Sequence, residues 1–90
     1  MANSEQFQLA ANVVKKLKQK PSDDELLILY GFYKQATMGN NNQDAPGFLD
    51  FKGKAKHKAW LQCKDISVHD AEIQYITKVN ELITKYGMEQ

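Results

Sequence analysis

The sequence has no arginine, since all twelve of its basic residues are lysines. Arginine supplies the bidentate fork that reads guanine and clamps transition-state charge, whereas lysine meets a phosphate as a point charge. With eleven acidic residues the formal net charge is only +1, so no general attraction to nucleic acid or to a membrane is expected. We therefore expect no nucleic-acid partner.

Cysteine, proline and long apolar runs are also scarce. The single cysteine, Cys63, excludes an internal disulfide and fits a reducing compartment. No run approaches the ~18 apolar residues of a membrane span, and the N-terminus lacks the apolar segment of a signal peptide. Two prolines and five glycines in 90 residues argue against disorder. We expect one cytoplasmic domain, residues 1–90, without stable membrane insertion.

Apolar spacing and capping residues predict four helices. They are expected at residues 5–18, from Ser22 to Met38, at residues 51–63, and from Ser67 to about Tyr86. The connection at 39–49 is the longest and consists of turn-forming residues. Because a long connection permits parallel neighbours, we predict an all-α, up-down-down-up four-helix bundle with a long loop between helices 2 and 3.

The third helix and the long loop carry further expectations about packing. Spacing on the third helix predicts a core stripe of Phe51, Ala55, Ala59 and Cys63. The apolar pair Phe48 and Leu49 is expected to fix the loop to the helices, and His57 is expected to be solvated.

The second helix has two apolar faces. The first consists of Leu29, Phe32, Tyr33 and Ala36, and the second of Leu27, Tyr30, Lys34 and Met38. A surface helix of a small domain normally buries one face, so the second is a candidate ligand surface. In one alternative, the helix is central, contacts two neighbours and extends Lys34 to water. In another, the face of Leu27, Tyr30 and Met38 docks a partner helix, and the chain is a protein-interaction module.

An anion site is the favoured interpretation of the second face. Its candidates are Tyr30, Lys34, Lys52 and Lys56. Neither Lys34 nor Lys56 has a carboxylate three or four residues away on its own helix. Two ammonium groups and a phenol would give an anion charge-assisted hydrogen bonds. The alternative is that these lysines extend to water from the edge of the bundle.

Metal binding and catalysis have weak signals. The soft ligands are His57, Cys63 and His69, and the first two are six residues apart, which puts them on different helix faces. A pairing of Cys63 with His69 is possible, but a cysteine on a core stripe is usually inert. There is no glycine-rich phosphate loop. We expect no metal, no cofactor and no enzymatic activity; a thioesterase is the remaining enzymatic alternative.

Three segments resemble the acyl-CoA-binding protein family. They are Tyr30-Gly31-Phe32-Tyr33-Lys34-Gln35-Ala36-Thr37, the run from Pro46 to Lys56, and Lys78-Val79-Asn80-Glu81-Leu82. The similarity covers nearly the whole chain. Many members have a tryptophan where this chain has His57, so any ligand contact of that indole is absent here.

The resemblance implies a helical bundle that binds long- and medium-chain acyl-CoA thioesters tightly and without chemistry. It implies a monomeric intracellular carrier and pool former that contacts acyl-CoA-using enzymes transiently. It implies that Tyr30, Lys34 and Lys56 meet the 3′-phosphate, and that adenine lies near Tyr33. The other implied ligand contacts are Lys15, Gly31, Phe32, Lys52 and Tyr75, with Leu27 and Met38 in the acyl groove.

Overall fold

The computed structural model describes residues 3–89, which form four helices and no strand. The helices are α1 (Glu5–Val13), α2 (Asp23–Met38), α3 (Phe51–Leu61) and α4 (Val68–Tyr86). Within this described part, no helix combines the length and the apolar composition needed to cross a bilayer. The predicted all-α fold with four helices is confirmed.

Side-chain caps fix where each helix begins. Ser4, Ser22, Asp50 and Ser67 each accept a hydrogen bond from a backbone N–H in the first turn. At the start of α2, Ser22 and Glu25 form both bonds of a capping box. The helix starts are therefore set by short segments of sequence, as predicted.

The predicted end of the first helix is wrong. The α-helix stops at Val13, a 3₁₀ turn covers Val14–Lys16, and Leu17 is extended and pairs with Met88. Lys18 N donates to Gly87 O at 2.9 Å, and Glu89 N donates to Lys16 O at 2.8 Å. The chain leaves the helix because its backbone groups find partners in the C-terminal segment, which no local pattern reveals.

Hydrogen bonds between helix ends define the directions of α1, α2 and α4. The Asn3 side chain, just before α1, donates to Ala36 O at the end of α2 (2.8 Å) and to the Glu72 carboxylate near the start of α4 (2.6 Å). At the other end, Tyr86 donates to Glu25 at the start of α2. Thus α2 is antiparallel to both α1 and α4.

The third helix runs parallel to α2. Tyr30 lies opposite Lys56, and Lys34, one turn further along α2, lies opposite Trp60, one turn further along α3. Together with the directions above, this gives the predicted up-down-down-up order. Within residues 3–89, α3 packs on α2 and on no other helix, so grooves remain on both sides of the α2–α3 contact.

The core lies between α1, α2 and α4. Its buried members are Phe7, Ala10, Leu17, Leu29, Ala36, Ala71, Tyr75, Val79 and Leu82. None of them comes from α3, whose buried residue is Trp60; Cys63, in the turn after this helix, is also buried. Since α2 contacts both α3 and α4, it is a central helix with two neighbours, as one alternative expected, but Lys34 is half-buried and lies over Trp60.

Two packing expectations are wrong. Phe51, predicted as the first residue of a core stripe on α3, is 74% exposed. Phe48 and Leu49 are 74% and 72% exposed, so they do not fix the long loop. The spacing argument assumed an inner face along all of α3, but burial on this helix is concentrated at its C-terminal end.

Polar side chains anchor the long loop instead. Asn40 Oδ1 accepts from Asp65 N at 2.8 Å, and Asn41 Nδ2 donates to His57 O at 3.2 Å. His57 Nε2 lies 2.9 Å from Gln43 O, and because a carbonyl only accepts, this nitrogen carries the proton. The expectation of a solvated His57 is therefore wrong: the ring is half-buried and binds the loop.

Glu25 joins the start of α2 to the end of α4. Tyr86 Oη donates to its carboxylate at 2.6 Å, Ser22 N at 2.8 Å and Lys85 Nζ at 3.0 Å. These bonds, that from Tyr86 above all, lower the pKa of Glu25 to about 2 from the ordinary 4.5. The stabilisation is therefore fully present above pH 4.5 and is lost as the pH falls towards 2.

We expect Tyr86→Phe to lower the free energy of unfolding more at pH 7 than at pH 2. The variant keeps the ring but loses the hydrogen bond that most depresses the pKa of Glu25. Urea unfolding of both chains from pH 7 to pH 2 measures the difference, which should shrink below about pH 4.5. A difference that stays constant over this range would mean that the lost bond does not act through Glu25.

Candidate ligand-binding site between α2 and α3

Gly31 allows α2 and α3 to approach closely. This glycine is buried, and a Cβ atom on it would lie 2.6 Å from Ala59 O and 3.2 Å from Cys63 Sγ. Any side chain here would displace the α3 backbone. The close contact brings the side chains that flank Gly31 within reach of those on α3.

Two cation–aromatic pairs cross this contact. Lys56 Nζ lies 5.4 Å from the centroid of the Tyr30 ring, and Lys34 Nζ lies 5.0 Å from that of the Trp60 ring. In each pair one helix supplies the lysine and the other the aromatic ring. Trp60 is 2% exposed and donates from Nε1 to Gly39 O at 2.8 Å, which holds the second pair in place.

Within the described part of the chain, no carboxylate forms an ion pair with the lysines at this contact. The ion pairs found among residues 3–89 are Lys78–Glu81 and Lys85–Glu25. Lys34 Nζ instead lies 3.0 Å from Met38 Sδ, and a thioether is a weak acceptor. The structure thus places two lysines, Lys56 over Tyr30 and Lys34 over Trp60, on successive turns of the α2–α3 contact, and ammonium groups in such positions can hold an anion such as a phosphate.

An open cavity of about 610 Å³ adjoins the Tyr30–Lys56 pair. Its wall includes the apolar side chains of Leu27 and Phe51 and the lysines Lys52 and Lys56. Lys20 and the carboxylate of Asp23 also line the cavity, so its apolar surface carries an excess of cations, which suits an amphiphile that has an anionic end. Sequence periodicity assigned Phe51 to the core, so this residue was not among the predicted site residues.

Tyr33 and Tyr75 form an aromatic group with Phe7. The ring centroids are 5.6 Å apart for Phe7–Tyr33, 4.9 Å for Phe7–Tyr75 and 5.9 Å for Tyr33–Tyr75. Tyr33 is 41% exposed, and it covers the buried Tyr75. Burial, with a smaller contribution from Tyr33, raises the pKa of Tyr75 to about 12, so its hydroxyl stays neutral and can donate.

Two of the ligand contacts that the family resemblance implies, Phe32 and Lys15, lie outside this cavity. Phe32 lines a second cavity of about 710 Å³ on the other side of the α2–α3 contact, together with Ile28 and Cys63. Lys15 is exposed in the 3₁₀ turn after α1, and it forms no ion pair with any described residue. The structure therefore does not bring Phe32 and Lys15 to the Tyr30–Lys56 cavity.

The cysteine and the histidines offer little chemistry. Burial raises the pKa of the Cys63 thiol, which donates to Ala59 O at 3.6 Å and so is a poor nucleophile at neutral pH. His57 is occupied by the loop. Within residues 3–89, no three His, Cys, Asp or Glu side chains are grouped so that they could hold a metal ion.

Comparison with known proteins gives one consistent result. Residues 4–79 match the family model described as acyl CoA binding protein. The chain is 52% identical over 81 residues to acyl-CoA-binding protein homolog 1 of Caenorhabditis elegans, covering 90% of this chain and 94% of the relative. It is also 52% identical over 84 residues to the acyl-CoA-binding protein homolog of Drosophila melanogaster, covering 93% and 98%.

Two solved structures share the fold of this chain. The crystal structure of Oryza sativa acyl-CoA-binding protein 2 superposes with a TM-score of 0.86 at 37% identity over 90% of each chain. The crystal structure of ACBP from Moniliophthora perniciosa superposes with a TM-score of 0.83 at 36% identity, covering 93% of this chain and 85% of the other.

Proposed function

The chain belongs to the acyl-CoA-binding protein family, a family of binding proteins, and on this premise we propose that it binds long- and medium-chain acyl-CoA thioesters between α2 and α3 with high affinity. It acts as a monomeric carrier and pool former in the cytoplasm. It performs no chemistry on its ligand, needs no cofactor, and meets acyl-CoA-using enzymes only transiently.

The observation that carries this proposal is the position of the lysine–aromatic pairs beside an apolar cavity. Lys34, Lys56 and Tyr30 meet the 3′-phosphate of the nucleotide, where charge-assisted hydrogen bonds replace the weak contact of Lys34 with Met38. The exposed ring of Tyr33 contacts adenine, supported from beneath by Tyr75.

The acyl chain runs along the cavity wall formed by Leu27 and Phe51. Each buried methylene contributes about 0.8 kcal/mol, so a fourteen-carbon chain offers on the order of 10 kcal/mol. Ordering a flexible ligand cancels much of this. The phosphate contacts then supply both the preference for the nucleotide end and the remainder of a nanomolar affinity, which corresponds to about −12 kcal/mol.

Lys52 borders the cavity and suits the pyrophosphate or the thioester region. For Lys15, Gly31, Phe32 and Met38, a ligand contact follows from the family resemblance. In this fold, Gly31 first serves the close packing of α2 on α3.

We expect calorimetric affinity to rise with acyl length until the cavity is filled, because each added methylene leaves water. The affinity is measured for a series of acyl-CoA ligands of increasing chain length. Free CoA, which lacks the acyl chain, and the matching fatty acid, which lacks the nucleotide, are the controls. Both controls should bind far more weakly than the thioester. Equal affinity along the series would mean that the Leu27–Phe51 wall does not hold the tail.

Native mass spectrometry separates this proposal from its alternatives. Acyl-CoA adducts that survive transfer with the thioester intact support a carrier. A protein that acquires no adduct would leave the helix-docking module as the better explanation of the Leu27, Tyr30 and Met38 face, and release of free CoA would indicate a thioesterase.

A further inference from the structure

The tip of the long loop presents two large apolar side chains to solvent. Asp50 N donates to Gly47 O at 2.9 Å, which closes a tight turn with Phe48 and Leu49 at its two central positions. Polar residues and glycine normally fill such positions. Here the turn carries side chains that are 74% and 72% exposed, and Phe51, also exposed, follows one residue later.

Hydrogen bonds on both sides of this tip connect the loop to α3. Asp50 closes the turn with its backbone N–H, and its Oδ1 accepts from Gly53 N at 2.9 Å as the cap of α3. Upstream, the hydrogen bonds of Asn41 and His57 tie the loop to α3. The apolar tip therefore projects from the N-terminal end of α3, and its two side chains are exposed to solvent.

The surroundings of the tip are positively charged. The helix α3, Phe51–Leu61, carries four lysines and no acidic residue: Lys52, Lys54, Lys56 and Lys58. Asp50 is the one carboxylate in the turn, and it is engaged as the cap of this helix. The adjoining cavity is lined by Lys20 as well as by Phe51 and Lys52, and among the described residues its one acidic lining residue is Asp23.

We propose that Phe48 and Leu49, flanked by the lysines of α3, dock the protein onto an anionic lipid bilayer. A convex pair of apolar side chains inserts shallowly between lipids, while the ammonium groups of the lysines meet the headgroup phosphates. The patch continues into the cavity through Phe51, so a docked protein presents the open cavity to the membrane. Docking itself does not depend on acyl-CoA binding, whereas its use for taking up a membrane-dissolved acyl-CoA rests on the proposed function.

Flotation of the full chain with vesicles tests the proposal. The chain should float with phosphatidylcholine vesicles that contain phosphatidylserine, and less so with phosphatidylcholine alone or at high salt. The variant Phe48→Ser/Leu49→Ser should lower the partition coefficient at least about tenfold, because two apolar side chains no longer leave water. Lys54→Gln should lower it about fivefold on anionic vesicles only.

A matched control removes exposed apolar side chains elsewhere. Leu61→Ser/Ile73→Ser changes two positions that are 44% and 47% exposed, away from the turn, and it should bind vesicles like the wild type. Equal loss in both double variants would overturn the proposal, as would a wild-type chain that does not float.

Two further measurements separate docking from other uses of the tip. In the absence of vesicles, the Phe48→Ser/Leu49→Ser variant should bind acyl-CoA as the wild type does; a parallel loss would make the tip part of the ligand site instead. In sedimentation equilibrium, a wild-type dimer that this variant abolishes would assign the tip to a second copy of the chain and overturn lipid docking.

Discussion

Replacing both Lys34 and Lys56 by alanine is expected to weaken the binding of a long-chain acyl-CoA at least about a hundredfold. Each lysine is expected to make a charge-assisted contact of about 1.5–3 kcal/mol with the 3′-phosphate. Neither has a carboxylate partner to lose among the described residues, but each loses a cation–aromatic contact of about 0.5–1 kcal/mol, so the thermal midpoint should fall by several degrees while the protein stays folded. Calorimetry with one acyl-CoA and a parallel melting curve measure both quantities.

A control variant removes the same number of positive charges, both of them from α3. Lys54→Ala/Lys58→Ala changes two exposed lysines that lie outside the Tyr30–Lys56 cavity, and it should leave the affinity within about threefold. A ligand without the 3′-phosphate provides a second control, since it should bind wild type and Lys34→Ala/Lys56→Ala almost equally. If the latter variant discriminates the two ligands as the wild type does, the phosphate is bound elsewhere.

Gly31→Ala should separate α2 from α3 and reduce acyl-CoA affinity at least about tenfold. The new Cβ would lie 2.6 Å from Ala59 O, a backbone atom that cannot rotate away. Overpacking of this kind costs about 1–3 kcal/mol, against a gain of about 1 kcal/mol in helix propensity. We therefore expect a net loss of up to about 2 kcal/mol in the free energy of unfolding, together with displacement of the Tyr30–Lys56 and Lys34–Trp60 pairs.

Gly47→Ala is the matched control for this substitution. A Cβ at Gly47 would have no atom within 4 Å, and the residue does not have a positive φ. Affinity and stability should both remain near those of the wild type. If Gly31→Ala binds acyl-CoA as tightly as Gly47→Ala does, the close approach of α2 and α3 does not determine the ligand-binding site.

The starts of the helices could be predicted from sequence because each depends on a few adjacent residues. Ser22 and Glu25, three positions apart, contain the whole capping box. The end of the first helix could not be predicted, because Leu17 is extended and pairs with Met88, 71 positions away. That partner is known only once the chain is folded. Tertiary pairing here overrides local helix preference.

Which apolar residues are buried was harder to predict than which residues share a face. Periodicity correctly grouped Tyr30 with Lys34 on one side of α2, and the structure shows that α3 lies against that side. The same reasoning assigned Phe51 to the core, because a stripe on one helix does not reveal how far its neighbour extends. The aromatic partners of the two lysines, Trp60 and Tyr30, could not be predicted. They result from the close approach of α2 and α3 at Gly31, and the residue pattern of a single helix does not reveal such a contact.

Trp60 gives the chain an optical property. It is the sole tryptophan in the sequence, and its indole lies beneath the ammonium group of Lys34, 5.0 Å from the ring centroid. Charge close to an indole shifts its emission, so the arrival of an anion at Lys34 changes the light that the unlabelled protein emits. With the phosphate bound at Lys34 as proposed, the rates at which acyl-CoA enters and leaves could be followed in a stopped-flow fluorimeter without attaching a dye.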